Sequence, residues 1–294
     1  MPGSYIIFMK KIKATIEINN KIIALYLSGK GTYQIATDCG CSQTFIMNVL
    51  KRYNIPRRTA QSYTTKYITN ENFFNNVNTE EKAYILGFLY ADGNNYVKPG
   101  RHYEISIKLQ EKDRIILEKI RDYLSPKSPI KIVGDSRTDN LYPLLKINSK
   151  ILTQQLTKLG CIPNKSLILT WPEWLIDPKL QQHFIRGYFD GDGSIYSKKP
   201  TKTGYVNYAW AITSSNNFCN EVKNIIENHM QIHCSQSICK PKSNKITTSL
   251  SVGGNLQVMK ILDWMYQDAT IYMPRKYHKY LEFKNYVSSL KLIY

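Results

Sequence analysis

Two aspartates close two similar stretches of this sequence, and carboxylates are the side chains best suited to hold a hard divalent cation. The first stretch is Ile85-Leu-Gly-Phe-Leu-Tyr-Ala-Asp-Gly93 and the second is Ile185-Arg-Gly-Tyr-Phe-Asp-Gly-Asp-Gly193. Ile, Gly, Asp and Gly recur at matching places a hundred residues apart, and Tyr96 and Tyr196 extend the match. The apolar spacing predicts a helix in each copy, ending at Asp92-Gly93 and Asp192-Gly193. Glycine just past a helix end is ordinary, but an aspartate in the last turn faces the negative end of the helix dipole, at a cost of about 0.3–1 kcal/mol. Two such carboxylates side by side would also repel. Divalent cations bound between Asp92 and Asp192, Mg²⁺ or Mn²⁺ by the hardness of the ligands, would remove both penalties. Ala91, just before the first aspartate, has no side-chain ligand to offer. Metals shared by two carboxylates can activate water and stabilise the leaving oxygen of a phosphodiester. Asp-Gly is also a turn dipeptide, and one copy alone would argue for no more than a turn. Two copies, each ending a Gly-containing apolar helix and each followed by an alternating strand, argue for chemistry.

The elements that would position these acids form a duplicated series of helix, two strands, helix, two strands, helix. Gly87 and Gly187 lie mid-helix, where glycine costs about 0.5–1 kcal/mol relative to alanine. Close packing of the two motif helices across a pseudo-twofold axis would require it. Asn78 with Glu81 forms a candidate capping box for the first helix, and Asp177-Pro178 supplies an N-cap and N1 proline for the second. In the first copy Tyr103, Ile105, Ile107 and Leu109 alternate with His102, Glu104, Ser106, Lys108 and Gln110. In the second, Val206, Tyr208, Trp210 and Ile212 alternate with Asn207, Ala209, Ala211 and Thr213. This is the period of a sheet with one wet face. Amphipathic helices carrying Ile116, Leu117, Ile120 and Leu124, and Phe218, Val222, Ile225 and Ile226, would cover the apolar faces. The expected fold class is α+β, with the polar sheet faces free to meet a polyanion. Candidate contacts there are Lys98, Arg101, Ser106, Lys108, Asn207 and Thr213.

With 294 residues the chain suits two or three compact units. Forty Lys and Arg against 22 Asp and Glu leave a formal charge of +18, which attracts nucleic acid or an anionic membrane. No apolar run approaches the ~18 residues of a spanning helix, and Ser4–Met9 is too short for a signal-peptide core. A soluble, intracellular protein is expected. Cys39, Cys41, Cys161, Cys219, Cys234 and Cys239 show no paired C-x-x-C spacing, so neither a zinc ribbon nor a disulfide framework is supported. His229, His233, Cys234 and Cys239 fit no common zinc finger.

Residues 20–55 are expected to form three short helices, Lys21–Leu27, Thr32–Asp38 and Ser42–Tyr53, closed over Ile22, Ile23, Leu25, Ile35, Ala36, Phe45, Ile46 and Leu50. The third would keep Gln43, Thr44, Asn48, Lys51 and Arg52 in solvent. This resembles a small all-α helix-turn-helix module, whose last helix enters the DNA major groove. A helical hairpin with a solvated face is the plainer alternative. Arg57 and Arg58 could follow the minor groove as a basic arm. The expected division is a helix-turn-helix module at 1–60, a linker at 61–78, and halves at 79–170 and 171–294.

From about residue 79 onward, some three quarters of the chain, the paired motifs resemble a single-chain LAGLIDADG homing endonuclease. The resemblance implies two antiparallel sheets forming a saddle over duplex DNA, with Asp92 and Asp192 as metal-binding catalytic acids, one for each strand. It also implies site-specific double-strand cleavage of a long target with short 3′ overhangs. Tyr90 departs from the family's acidic wording, which the second copy keeps as Asp190. Pro163-Asn164-Lys165 and Pro274-Arg275-Lys276 occupy matching places, making Lys165 and Lys276 candidates for stabilising transition-state charge. Solvated surface lysines are the alternative for each. Gln110 stands where relatives often place a water-organising residue, with Ser214 or Ser215 as its counterpart. Relatives of this kind also include intron maturases, which bind RNA, and inactive DNA-binding regulators. Both acids are intact here, and a groove-reading sheet suits duplex DNA better than A-form RNA. The ends, Met1-Pro2 and Leu292-Ile-Tyr294, lack the residues of an intein. Two motifs in one chain make a monomer sufficient.

Overall fold

The computed structural model describes residues 3–56, 67–98, 102–135, 138–163, 165–197, 205–239 and 246–291. Arg57, Arg58 and Arg101 lie outside the described residues. The chain divides into two compact units, Met1–Lys66 and Tyr67–Tyr294.

The first unit contains α1 (Gly3–Leu27), α2 (Thr32–Cys39) and α3 (Gln43–Arg52). Gly40, in the left-handed conformation at φ 62°, ends α2, and the Ser42 hydroxyl caps α3 by accepting from the Phe45 N–H at 3.2 Å. The core is Ile22, Tyr26, Ile35, Ile46, Val49 and Leu50. Two expectations change here. The first helix begins far upstream of Lys21, and Phe45, assigned to the core, is 37% exposed. Val49 and Tyr26 fill the interior instead, because the inward face of α3 runs through Ile46, Val49 and Leu50.

The second unit opens with Phe73, Phe74 and Val77 buried in the main core. The expected linker therefore ends earlier than residue 78, since these apolar side chains interrupt its polar composition. Then come α4 (Glu80–Ala91), β1 (Gly93–Lys98), β2 (His102–Lys108), α5 (Arg114–Leu124), β3 (Ile130–Asp135), β4 (Thr138–Asn148) and α6 (Lys150–Lys158). The same series repeats as α7 (Pro178–Asp192), β5 (Ser194–Ser197), β6 (Tyr208–Ser214), α8 (Asn216–Met230), β7 (Ser235–Cys239), β8 (Thr247–Gly253) and α9 (Asn255–Tyr266), with α10 (Pro274–Lys291) added. Each half forms an antiparallel four-stranded sheet, in the orders β1-β2-β4-β3 and β5-β6-β8-β7. The mixed α+β architecture follows the sequence pattern.

Thr79, rather than Asn78, caps α4, accepting from the Lys82 N–H at 3.4 Å, while Asn78 accepts from the Lys82 ammonium at 3.1 Å. Asp177 caps α7 as expected, accepting from the Lys179 N–H at 2.9 Å. Ile105, Ile107, Trp210 and Ile212 point into the core, and Ile116, Leu117, Ile120, Phe218, Val222 and Ile226 cover them. Val206 precedes β6 instead of belonging to it. Its N–H donates to the Tyr286 hydroxyl at 2.7 Å rather than to a neighbouring strand.

Candidate active site

The two motif helices, α4 and α7, cross in backbone contact at their glycines. A Cβ on Gly87 would stand 2.0 Å from the carbonyl oxygen of Phe184, and one on Gly187 would stand 2.0 Å from that of Tyr84. The reciprocity is that of a pseudo-twofold axis, with each glycine admitting the other helix's backbone. Beneath it, buried Arg186 donates to Glu80 at 2.6 Å and to the carbonyl of Met265 at 2.8 Å. This pair ties the start of α4 to the middle of α7.

Packing at the glycines brings the helix ends together. A Cβ on Gly191 would lie 2.4 Å from the Ala91 methyl and 3.4 Å from an Asp92 carboxylate oxygen. Asp92 is half-buried, and its pKa is pushed up to about 6, first by lost hydration and then by the charge of Asp192. Lys276 and Lys165 pull it back down, while Asp113 adds to the rise. Asp192 is also raised, with Lys276 and Lys165 opposing. Lost hydration is the largest cause for Asp192 as well, although its side chain reaches solvent. Two carboxylates that repel and are short of water suit a hard divalent cation. Among the described residues no group of three or more His, Cys, Asp or Glu could hold a metal. The protein would therefore supply these two acids, leaving other positions to water or phosphate, as Mg²⁺ commonly does.

Lys165 and Lys276 are placed alike in the two halves. Lys165 donates to the carbonyl of Gly93, and Lys276 donates to that of Gly193 at 2.6 Å and to that of Phe189. Neither is a solvated surface lysine: they are 7% and 4% exposed. Burial lowers the Lys276 pKa to about 8, against the raising influence of Asp190, Asp92 and Asp192.

The departure at position 90 has a packing counterpart. Asp190 is fully buried and accepts from the Tyr84 hydroxyl at 2.7 Å, the Tyr266 hydroxyl at 2.5 Å and the Met273 N–H at 2.7 Å. Tyr90 instead donates its own hydroxyl to the Leu159 carbonyl at 2.7 Å. Each residue ties its motif helix to the region of its own half's third helix, one as acceptor and one as donor.

Gln110 is exposed and lines an open cleft with Asp92, Lys108, Lys112, Asp113, Tyr142 and Arg275. Strand pairing matches it to Ser215, because Gly93 faces Ile107 while Ser194 faces Ala211, making Ile107 and Ile212 equivalent. The Ser215 hydroxyl is committed to the fold: it accepts from the Phe218 N–H at 3.2 Å and donates to the Leu169 carbonyl. Ser214 is buried. Sequence reasoning passed over Asp113 and Arg275, which form a two-pronged ion pair at 3.0 and 3.2 Å beside Asp92. They lie 162 residues apart and carry no local signal.

Of the sheet residues expected to face a polyanion, Lys98, Lys108 and Thr213 are exposed, Ser106 is half-buried, and Asn207 is half-buried just before β6. Glu104, placed on the wet face, is only 9% exposed because Lys146 holds it at 3.0 Å. Tyr96 and Tyr196 occupy equivalent outward positions, 44% and 43% exposed. In the first unit Gln43, Thr44, Asn48, Lys51 and Arg52 are all exposed on α3. Among the described residues no helix is long and apolar enough to cross a membrane.

Residues 179–254 match the family model of a LAGLIDADG-like domain. Among solved structures the chain is similar to meganuclease I-SmaMI bound to uncleaveable DNA with a TTCT central four, at 16% identity over 69% of this chain and 88% of that one, TM-score 0.48. It is similar to LAGLIDADG meganuclease I-AabMI bound to uncleaved DNA, at 17% identity over 71% and 90%, TM-score 0.48. A third is LAGLIDADG homing endonuclease I-GzeII in complex with its DNA target, at 15% identity over 72% and 90%, TM-score 0.43. No curated protein matches the chain.

Proposed function

We propose, with the LAGLIDADG-like domain at residues 179–254 as the premise, that this chain is a site-specific homing endonuclease that hydrolyses both strands of duplex DNA. The observation that carries the reading is the meeting of Asp92 and Asp192 at the ends of two helices packed glycine to glycine, each with a buried lysine at its terminal carbonyl. Asp92 and Asp192 would hold Mg²⁺ or Mn²⁺, which when bound supplies Lewis acidity and lowers the pKa of water.

The protein's own groups do the rest. Each carboxylate is fixed to a helix end, so the acids are positioned before substrate arrives and need no reorganisation. The Lys165 and Lys276 ammoniums favour the ionised carboxylates and place positive charge where the pentacovalent phosphate gains negative charge. Gln110, open to the Asp92 cleft, can orient a water by hydrogen bonding. Ser215 has no equivalent freedom, so the two half-reactions differ in their water-ordering groups. Outward side chains of the two sheets would contact the duplex, and short 3′ overhangs follow if the cuts are staggered across the minor groove. The first unit would add contacts through Gln43, Thr44, Asn48, Lys51 and Arg52 on one flank.

The test is cleavage of a library of DNA duplexes in Mg²⁺ and in EDTA. Metal-dependent double-strand cuts at one sequence support the reading. Tight duplex binding with no cutting in Mg²⁺ or Mn²⁺ would overturn it in favour of a DNA-binding regulator.

A further inference from the structure

The two sheets have the same strand order and matching central registers, so outward positions along their paired strands can be compared one to one, and their chemistry differs. Equivalence of Ile107 and Ile212 makes Lys108 the counterpart of Thr213, Ser106 of Ala211 and Glu104 of Ala209. On the next strand Ser106 faces Lys146 where Ala211 faces Ser251, and Lys108 faces Leu144 where Thr213 faces Ser249. On the edge strand Lys131 faces Leu144 where Ser237 faces Ser249. Three outward lysines of the first sheet, Lys108, Lys131 and Lys146, are thus replaced in the second by Thr213, Ser237 and Ser251. Glu104, held by Lys146 at 3.0 Å and only 9% exposed, gives way to Ala209, which is itself buried. Among the described residues the outward face of the second sheet, through β6, β7 and β8, holds only Ala, Ser, Thr, Cys and Gly.

These two surfaces differ in how they discriminate bases. A lysine is a donor only, and exposed Lys108 and Lys131 favour the guanine O6 and N7 acceptors. A hydroxyl both donates and accepts and so fits any base edge, while the methyl of exposed Thr213 favours contact with the thymine methyl. Resting on the endonuclease reading above, we propose that the target is read unequally. The half-site under the first sheet is selected stringently and is rich in G·C pairs, whereas the half-site under the second is tolerant, with a bias toward thymine contacts.

Selection of bound sequences from a randomised duplex library by the full chain, in Ca²⁺ to hold cleavage off, tests this. Wild type is expected to enrich a pool whose base preferences are strong, roughly 10- to 100-fold per pair, in one half and weak, within about 3-fold, in the other. Lys108→Thr with Lys131→Ser, which copies the second sheet onto exposed positions of the first, should flatten the strong half alone. The converse Thr213→Lys with Ser237→Lys should create a guanine preference in the weak half. Equal stringency in both halves would overturn the inference. So would a double lysine variant that lowers affinity evenly without changing base preference, the mark of phosphate contacts. Absence of any enriched duplex with wild type would instead sink the endonuclease reading itself, and this inference with it.

Discussion

At the scale of single residues, function rests on charges placed where folding alone would not put them. The Asp92 pKa of about 6 lies above the ordinary carboxylate value of 3.8. A carboxyl raised on folding binds its proton more tightly in the native state, so its contribution to stability is fullest below pH 4 and is lost as pH rises toward 6. In EDTA at pH 7, Asp92→Asn is therefore expected to raise the melting temperature while lowering cleavage on the order of 100-fold or more. A variant that loses activity and also melts lower would show that Asp92 is structural. If Asp92 holds Mg²⁺, the ion would compete with the Asp92 proton, so its affinity should climb between pH 5 and 7, with proton release measurable by calorimetry in two buffers. Lys276, lowered to about 8, loses its charge above that pH. Cleavage should thus follow a bell rising through about 6 and falling through about 8, and Lys276→Met should remove the alkaline limb. The acids and both lysines were legible in the sequence because they recur in matched contexts. Asp113 and Arg275 were not, since an ion pair between distant segments leaves no periodic trace.

At the scale of elements, the glycine crossing sets the geometry of the candidate site. Gly87→Ala would force a methyl into a carbonyl oxygen that backbone packing holds in place, so destabilisation of about 1–3 kcal/mol or more is expected in denaturant unfolding. Gly134→Ala, where an added Cβ meets nothing within 4 Å, is the control and should be near neutral. Equal effects at the two positions would mean that the helices separate readily and that the crossing does not hold the aspartates together. Helices and central strands followed from period and caps, as Ile105, Ile107, Trp210 and Ile212 illustrate. The misreadings cluster where periodicity is weak. Val206 alternates in phase with β6 but lies before it, Thr79 takes the cap assigned to Asn78, and Phe45 sits on the exposed side of a helix whose buried face needs only three residues. The relation of Tyr90 to Asp190 depends on what the third helix of each half offers as a partner, which no local pattern contains.

At the scale of the molecule, an internal duplication builds one site from two halves and a separate helical unit precedes them. The duplication was the clearest signal in the sequence because glycine, aspartate and the following strand recur in fixed order. The unequal sheet faces were less so, since outward residues are not constrained by the core and carry no periodic signal of their own. Deleting residues 1–60 is expected to weaken binding and shorten nuclease protection on one flank, with the cut position unchanged. Symmetric loss of protection would contradict a flank-binding role for α3. The central claim, that one aspartate from each half is required for paired strand cleavage, is tested most directly on the selected duplex labelled separately on its two strands. Wild type, Asp92→Asn and Asp192→Asn would be compared in Mg²⁺. The account predicts that wild type cuts both strands and that either substitution leaves single-strand nicks or no product. Undiminished double-strand cleavage by either variant would contradict it.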